Sequence, residues 1–183
     1  NNTNIYSYFN INQVETKGLE FNASYKKTNN LEIKFGYQLL YAYDTEVVKD
    51  IEKDDSDYYA LNTETLTSVR LNKEDYFGLF NRSRHMGNIK LNYNLNDKTE
   101  LNTILTYRSK YALSDSNGND ILDTYDKFIE GYSLCDVAIT HLISPLQSFQ
   151  IGIKNIFGFT NPEYISNISG RLYYINIKIN IKK

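Results

Sequence analysis

Tryptophan is missing from this 183-residue chain, cysteine and methionine occur once each, and proline and histidine twice each. The lone Cys135 excludes an internal disulfide, and no His and Asp arrangement stands ready to activate it as a nucleophile. No run of 18 apolar residues exists, which excludes a transmembrane helix. A net charge of −2 gives no basic footprint, so nucleic acid is not an expected partner. No Ser-His-Asp set, catalytic Glu pair or phosphate-cradling Gly motif is present, and nothing in the chain supports an enzyme.

What the chain has in abundance is period-two alternation, helped by 17 Tyr and 9 Phe. In the segment 169–183, Tyr173, Ile175, Ile177, Ile179 and Ile181 fall on one side, and Tyr174, Asn176, Lys178, Asn180 and Lys182 on the other. A period of two means a strand with two unlike faces. The pattern repeats over residues 5–27, 31–43, 88–95, 101–108, 129–144 and 149–157, which makes seven strands. The polar side is as orderly as the apolar side. That suits a wall with lipid outside and a wet interior, the signature of an antiparallel transmembrane β-barrel.

The connections alternate in length: 28–30 is short, 47–82 long, 96–98 short, 114–127 long, 144–148 short and 160–168 long. Outer-membrane barrels place short turns in the periplasm and long loops outside, and complete bacterial ones have an even strand number. Seven strands with the first starting outside predict the C-terminal part of a larger barrel over residues 1–183. A signal peptide and the first strands are expected upstream. The first run, from about Ile5 to Lys27, would rise about 55 Å at roughly 3.3 Å per residue and a tilt near 40°. That exceeds a hydrocarbon core of about 30 Å, so the wall is expected to project above the membrane.

Four segments carry a family resemblance. YSYFNINQVETKGLEFNASY at 6–25, with Gly18, Leu19, Glu20 and Phe21, resembles a strand of TonB-dependent receptors. NRSRHMGNIKLNY at 81–93 resembles the family's Arg-x-x-His strand start, here Arg82 and His85. GYSLCDVAI at 131–139 with IGIKNIFGFTNPEY at 151–164 is similar to the penultimate hairpin, and SGRLYYINIKI at 169–179 to the closing strand. The resemblance implies an all-β, plugged barrel of about 22 strands in the bacterial outer membrane, of which these are the last seven. It implies active import of a scarce, bulky ligand such as a ferric siderophore, cobalamin or haem. The implied partners are outer-membrane lipid, a plug and the TonB–ExbB–ExbD complex engaged through an N-terminal region, with a surface lipoprotein as a further partner. A passive porin or adhesive barrel, and a soluble β-sandwich binding module, are the alternative readings. The sandwich would show strands of about 5–6 residues with turns every 8–12, which this chain lacks.

Inward Glu20, Asn22, Lys34, Gln38, Asn88, Lys90, Asn92, Asn176 and Asn180 are expected to line the lumen against the plug, and ligand capture is expected in the loops at 47–80, 114–127 and 160–168. Residues 44–75 are acidic, with Asp44, Asp50, Asp55 and Asp57 among ten carboxylates against four bases. This reads as a solvated surface, a calcium-ordered loop or a trap for a cationic ligand. Val47, Val48, Ile51, Tyr58 and Tyr76 add apolar weight, as in a loop that packs or covers a mouth. Within DSNGNDILDTYD, residues Asp115, Asn117, Asn119, Asp123 and Asp126, with the Ile121 carbonyl, occupy positions 1, 3, 5, 9, 12 and 7 of a calcium loop. Asp120 stands where that loop needs Gly, and a plain Asn117-Gly118 turn explains the segment without Ca2+. His85 and His141 are the two possible haem ligands, each also readable as a hydrogen-bonded structural residue.

Overall fold

The computed structural model describes residues 13–27, 30–53, 55–62 and 65–181. The early part of the first expected strand, residues 5–12, lies outside them. The chain forms β1 (Val14–Lys27), β2 (Leu31–Asp44), α1 (Thr45–Ile51), β3 (Tyr59–Asn62), β4 (Thr67–Arg70), β5 (Tyr76–Gly78), β6 (His85–Asn96), β7 (Thr99–Arg108), β8 (Leu122–Asp123), β9 (Tyr132–Ser144), β10 (Gln147–Lys154) and β11 (Leu172–Ile179). Seven of the strands form one sheet in the order β1-β2-β6-β7-β9-β10-β11. These are the seven expected strands, and the described residues are all-β apart from one short helix. Neighbours follow chain order in an antiparallel up-and-down path, with short hairpins and long connections alternating between them.

By contact density the chain divides into two units: residues 1–17, 40–82 and 112–128, and residues 18–39, 83–111 and 129–183. The second holds most of the sheet. Its registers align whole rows of like residues. Phe35 faces Ile89, Ile89 faces Leu105 and Leu105 faces Cys135, while Leu31, Tyr93, Leu101, Ile139, Ile151 and Ile175 form another apolar row. The intervening rows are polar: Glu32, Asn92 and Asn102 in one, and Thr140, Gln150 and Asn176 in another. Because alternate residues point to opposite faces, each row belongs wholly to one side.

The polar side is stitched together. Asn92 Nδ2 donates to Glu32 at 3.1 Å, Asn102 Nδ2 to Asn92 Oδ1 at 3.0 Å and to Glu100 at 2.8 Å, and Gln150 Nε2 to Thr140 at 3.0 Å. Two glycines make room on this side. A Cβ at Gly36 would meet Asn88 Nδ2 at 2.6 Å, and one at Gly152 would meet the Tyr174 ring at 2.4 Å. The apolar side is not a packed core: Ile177 is 72% exposed and Ile175 69%.

Pairing between β10 and β11 stops at Lys154, earlier than the alternation to residue 157 suggests. Asn155 causes the stop. It adopts φ +49, a left-handed conformation that leaves the ladder, and its buried side chain organises the next connection. Asn155 Nδ2 donates to Phe159 O at 2.7 Å and Ser169 O at 2.9 Å, and Oδ1 accepts from Phe159 N at 3.1 Å. Its own N–H donates to Asp136 at 2.8 Å, and Phe159 stacks on Tyr132 at 4.4 Å between ring centres. Replacing Asn155 with Ala strips three part-buried backbone groups, the N–H and carbonyl of Phe159 and the carbonyl of Ser169, of their side-chain partner and leaves Ala in a left-handed conformation, and is expected to lower unfolding stability by about 2–3 kcal/mol in a urea titration. An unchanged midpoint would show that these bonds are readily replaced by water.

Candidate functional site

In the first unit, the long connection between β2 and β6 is folded. Asp44 caps α1, its Oδ1 accepting from Glu46 N at 2.8 Å. Val47, Val48 and Ile51 follow at helical spacing. Ile51, Ala60, Leu71, Tyr76 and Ile121 form a buried cluster, with Tyr43, Val47, Val48, Tyr58 and Tyr125 packed on it. Ile121 comes from the other long connection, so the expected loops 47–80 and 114–127 share one core. They also pair directly, Tyr76 with Asp123 and Gly78 with Leu122, and Phe77 meets Phe128 edge-on at 4.7 Å. Loop 160–168 belongs to the second unit, where Asn161 and Ile165 form an isolated bridge.

The calcium-like segment closes on its own donors. The Asp115 carboxylate accepts the N–H groups of Asn117 (2.8 Å), Gly118 (2.7 Å) and Asp120 (2.7 Å). This is the side-chain-capped turn that Asp favours, with Gly118 at φ +85. Asp123 is fully buried and accepts from Asn117 Nδ2 at 3.0 Å and Asn119 Nδ2 at 2.7 Å. Asp126 accepts from Ser116 N at 2.6 Å, Ser116 Oγ at 3.0 Å and Asp123 N at 2.9 Å. Asn117 Oδ1 is buried without a hydrogen-bond partner. A calcium ion would therefore require the Asn117 and Asn119 amides to turn their oxygens toward Asp123. Among the described residues, no three His, Cys, Asp or Glu side chains converge in a metal-binding group.

A second feature of this unit is a hollow of about 240 Å³ lined by Asp44, Val47, Tyr58, Tyr76, Phe80 and residues 120–122. Burial raises the Tyr58 hydroxyl pKa above 10.0, with the carboxylates of Asp50, Asp44 and Asp120 adding to the rise. Reading 44–75 as an acidic loop missed this side of the hollow, which an Asp ahead of apolar residues at helical spacing would have signalled.

In the second unit, the polar face carries a hollow of about 400 Å³ lined by Glu20, Asn22, Gln38, Asn88, Thr106 and Arg108 among others. Gln38 Nε2 donates to Glu20 at 2.7 Å, and Arg108 donates from Nε to the buried Ser83 at 2.7 Å while lying 3.5 Å over the Tyr111 ring. The expected lumen residues on β2 and β6, Lys34, Gln38, Asn88, Lys90 and Asn92, share one face. Both histidines sit on the opposite, apolar face in structural contacts. His85 Nδ1 bonds the Tyr37 hydroxyl at 2.7 Å, and His141 Nδ1 bonds Thr99 Oγ1 at 2.9 Å. On that face no Asp, Glu, Lys or Arg occurs among the described residues from Leu19 to Tyr25, from Leu31 to Leu39, or along the sheet rows of β6, β7, β9, β10 and β11.

A family profile described as "TonB dependent receptor-like, beta-barrel" matches residues 1–156. Among solved structures, the ferric enterobactin receptor PfeA of Pseudomonas aeruginosa, as a Q482A mutant with enterobactin, is 15% identical with a TM-score of 0.57 over 90% of this chain and 22% of its own. The siderophore receptor PiuA of Acinetobacter baumannii is 13% identical with a TM-score of 0.54 over 80% and 18%. The ferric-catecholate import receptor Fiu of E. coli K12 is 14% identical with a TM-score of 0.52 over 80% and 17%. The chain thus spans about a fifth of the length of these receptors. No curated protein matches it.

Asp126 yields a pH prediction. Burial, the largest influence, raises its pKa above 3.8 in the folded loop despite the opposing hydrogen bonds. Folded Asp126 holds its proton more tightly than unfolded, so its contribution to stability is full below pH 3.8 and is lost as pH rises through the folded-state pKa. Hydrogen exchange of residues 114–128 between pH 3.5 and 7 should show protection falling with pH, with a shallower slope in Asp126→Asn. Equal slopes would contradict the assignment.

Proposed function

Because this chain belongs to the TonB-dependent receptor β-barrel family, we propose that it forms the C-terminal part of an outer-membrane barrel that imports a scarce, bulky ligand by active transport. One observation carries the reading: an exposed, charge-free apolar band faces away from an ordered polar wall. In water an apolar surface of this extent is unfavourable, whereas lipid tails cover it without loss. From the Tyr37 row to the His141 row the band runs about 8 residues, about 26 Å along the strands or about 20 Å of height at a tilt near 40°, most of the apolar girdle of about 25 Å found in such barrels. Tyr37, Tyr107, His85 and His141 near its borders suit the water interface, where a polar tip can hydrogen-bond while the ring stays in lipid.

In this reading the polar face lines the lumen. Glu20, Gln38, Asn92 and Asn102, already held by mutual hydrogen bonds, present a rigid hydrophilic wall to a plug. They bind and position it, and perform no chemistry. The edges β1 and β11 would continue into the rest of a barrel of about 22 strands. The folded unit of residues 40–82 and 112–128 belongs to the long connections, which this topology directs to the outer surface. Energy would come from the inner membrane through TonB–ExbB–ExbD. The solved receptors bearing siderophore names make a ferric siderophore the first ligand class to examine.

Cells carrying the intact gene are expected to accumulate iron supplied as a radiolabelled ferric catecholate, deletion is expected to abolish accumulation, and a protonophore should stop it within minutes. Accumulation that persists undiminished with the protonophore would contradict active import and favour a passive barrel.

A further inference from the structure

The hollow in the first unit has a composition that neither the wall nor an import role explains. Two carboxylates line it, Asp44 from the end of β2 and Asp120 from the turn before β8, together with the rings of Tyr58, Tyr76 and Phe80. Ile121 and Leu122 complete an apolar floor. Among the described residues, no lysine or arginine lines it. Three bases of this unit have other partners: Lys53 pairs with Asp50 at 2.6 Å and Lys73 with Glu52 at 2.5 Å, and Arg70 Nη2 donates to Lys53 O at 2.8 Å.

We propose that this hollow binds a small organic cation, a primary ammonium or guanidinium on a short apolar stem. The carboxylates supply charge-assisted acceptors, and the aromatic faces attract a cation that has lost part of its water. The apolar floor takes the stem. A bare metal ion is disfavoured by the same walls, because a hard cation needs six or more oxygens.

The placement of each acid supports recognition over a merely solvated acidic loop. Asp44 is fixed by its cap to Glu46 N, and its own N–H donates to the buried Tyr76 hydroxyl at 3.1 Å, so the carboxylate and the ring are held as one piece. Asp120 adopts φ +67, where Gly would be at ease and a side chain is usually avoided. Asp120, an exposed residue, nevertheless stands at the pocket wall. The rise of the Tyr58 hydroxyl pKa, caused first by burial, is increased by the charges of Asp50, Asp44 and Asp120, which agrees with acids lying near the ring. The proposal does not depend on import, since the unit builds the pocket from its own residues.

Binding is measured on the intact, detergent-solubilised protein by calorimetric titration with benzylammonium, with benzyl alcohol as the neutral isostere. The variants are Asp120→Asn, which keeps a residue tolerant of the left-handed conformation, and Glu74→Gln, which removes an exposed acid outside the pocket. Benzylammonium should bind saturably and about tenfold more tightly than the alcohol. Asp120→Asn should weaken it about fivefold and Glu74→Gln should leave it unchanged, the scale expected of a partly solvated ion pair beside aromatic rings. Equal binding of the alcohol, equal weakening by both variants, or no saturable binding of benzylammonium would each overturn the proposal.

Discussion

The antiparallel ladder is the constraint on which the rest depends. Each strand satisfies its backbone donors and acceptors through its neighbours, and this fixes side chains alternately to two faces. With Phe35, Ile89, Leu105 and Cys135 in one row, the rows on either side are mainly polar, Asn88 and Thr106 in one and Lys34, Lys90 and Asp136 in the other, with Leu134 and Ile104 among them. A one-residue slip would exchange the environments of every side chain in a strand. The hydrogen bonds linking Glu32, Asn92, Asn102 and Glu100 resist such a slip from the polar side. A charge-free outer row would not detect it until lipid arrived.

The long connections obey a different logic. They cannot use the sheet to bury their apolar residues, so they bury them against each other. Ile51 and Leu71 come from one connection and Ile121 from the other, and their shared core turns two loops into one folded unit. Asp123 is buried there and would be costly unless saturated; the amides of Asn117 and Asn119 and the N–H of Tyr125 saturate it. The acidity of these connections is thereby split in function. Some carboxylates shape turns, Asp50 and Glu52 pair with lysines, and Asp44 and Asp120 line a hollow.

Strand number, strand order and the alternation of short and long connections were legible in the chain because period two is a local signal and every wall strand expresses it. The tight turn at 145–146 lies within the short connection 144–148 expected between two alternating runs. Less was legible where tertiary contact decides. The interior of 47–82 reads as an acidic loop, yet α1 forms because Asp44 caps it and Val47, Val48 and Ile51 find a core. Asn155 looked like one member of a short motif, and its role in ending β10 depends on Phe159 and Ser169, which lie in the following connection. The calcium-like spacing of Asp115 to Asp126 reflects equally well a loop whose carboxylates meet backbone N–H groups, since both uses require oxygen-bearing side chains at alternate positions.

The central claim is that two adjacent residues of one strand face different solvents. The direct measurement is the unfolding free energy of the intact protein in lipid vesicles with lysine placed at either of two neighbouring positions on β7. Leu105→Lys, on the apolar row, should destabilise by about 2–4 kcal/mol, and Thr106→Lys, on the polar side, should fall within about 0.5 kcal/mol of the parent. Equal effects at the two positions, or the larger loss at Thr106, would contradict the account.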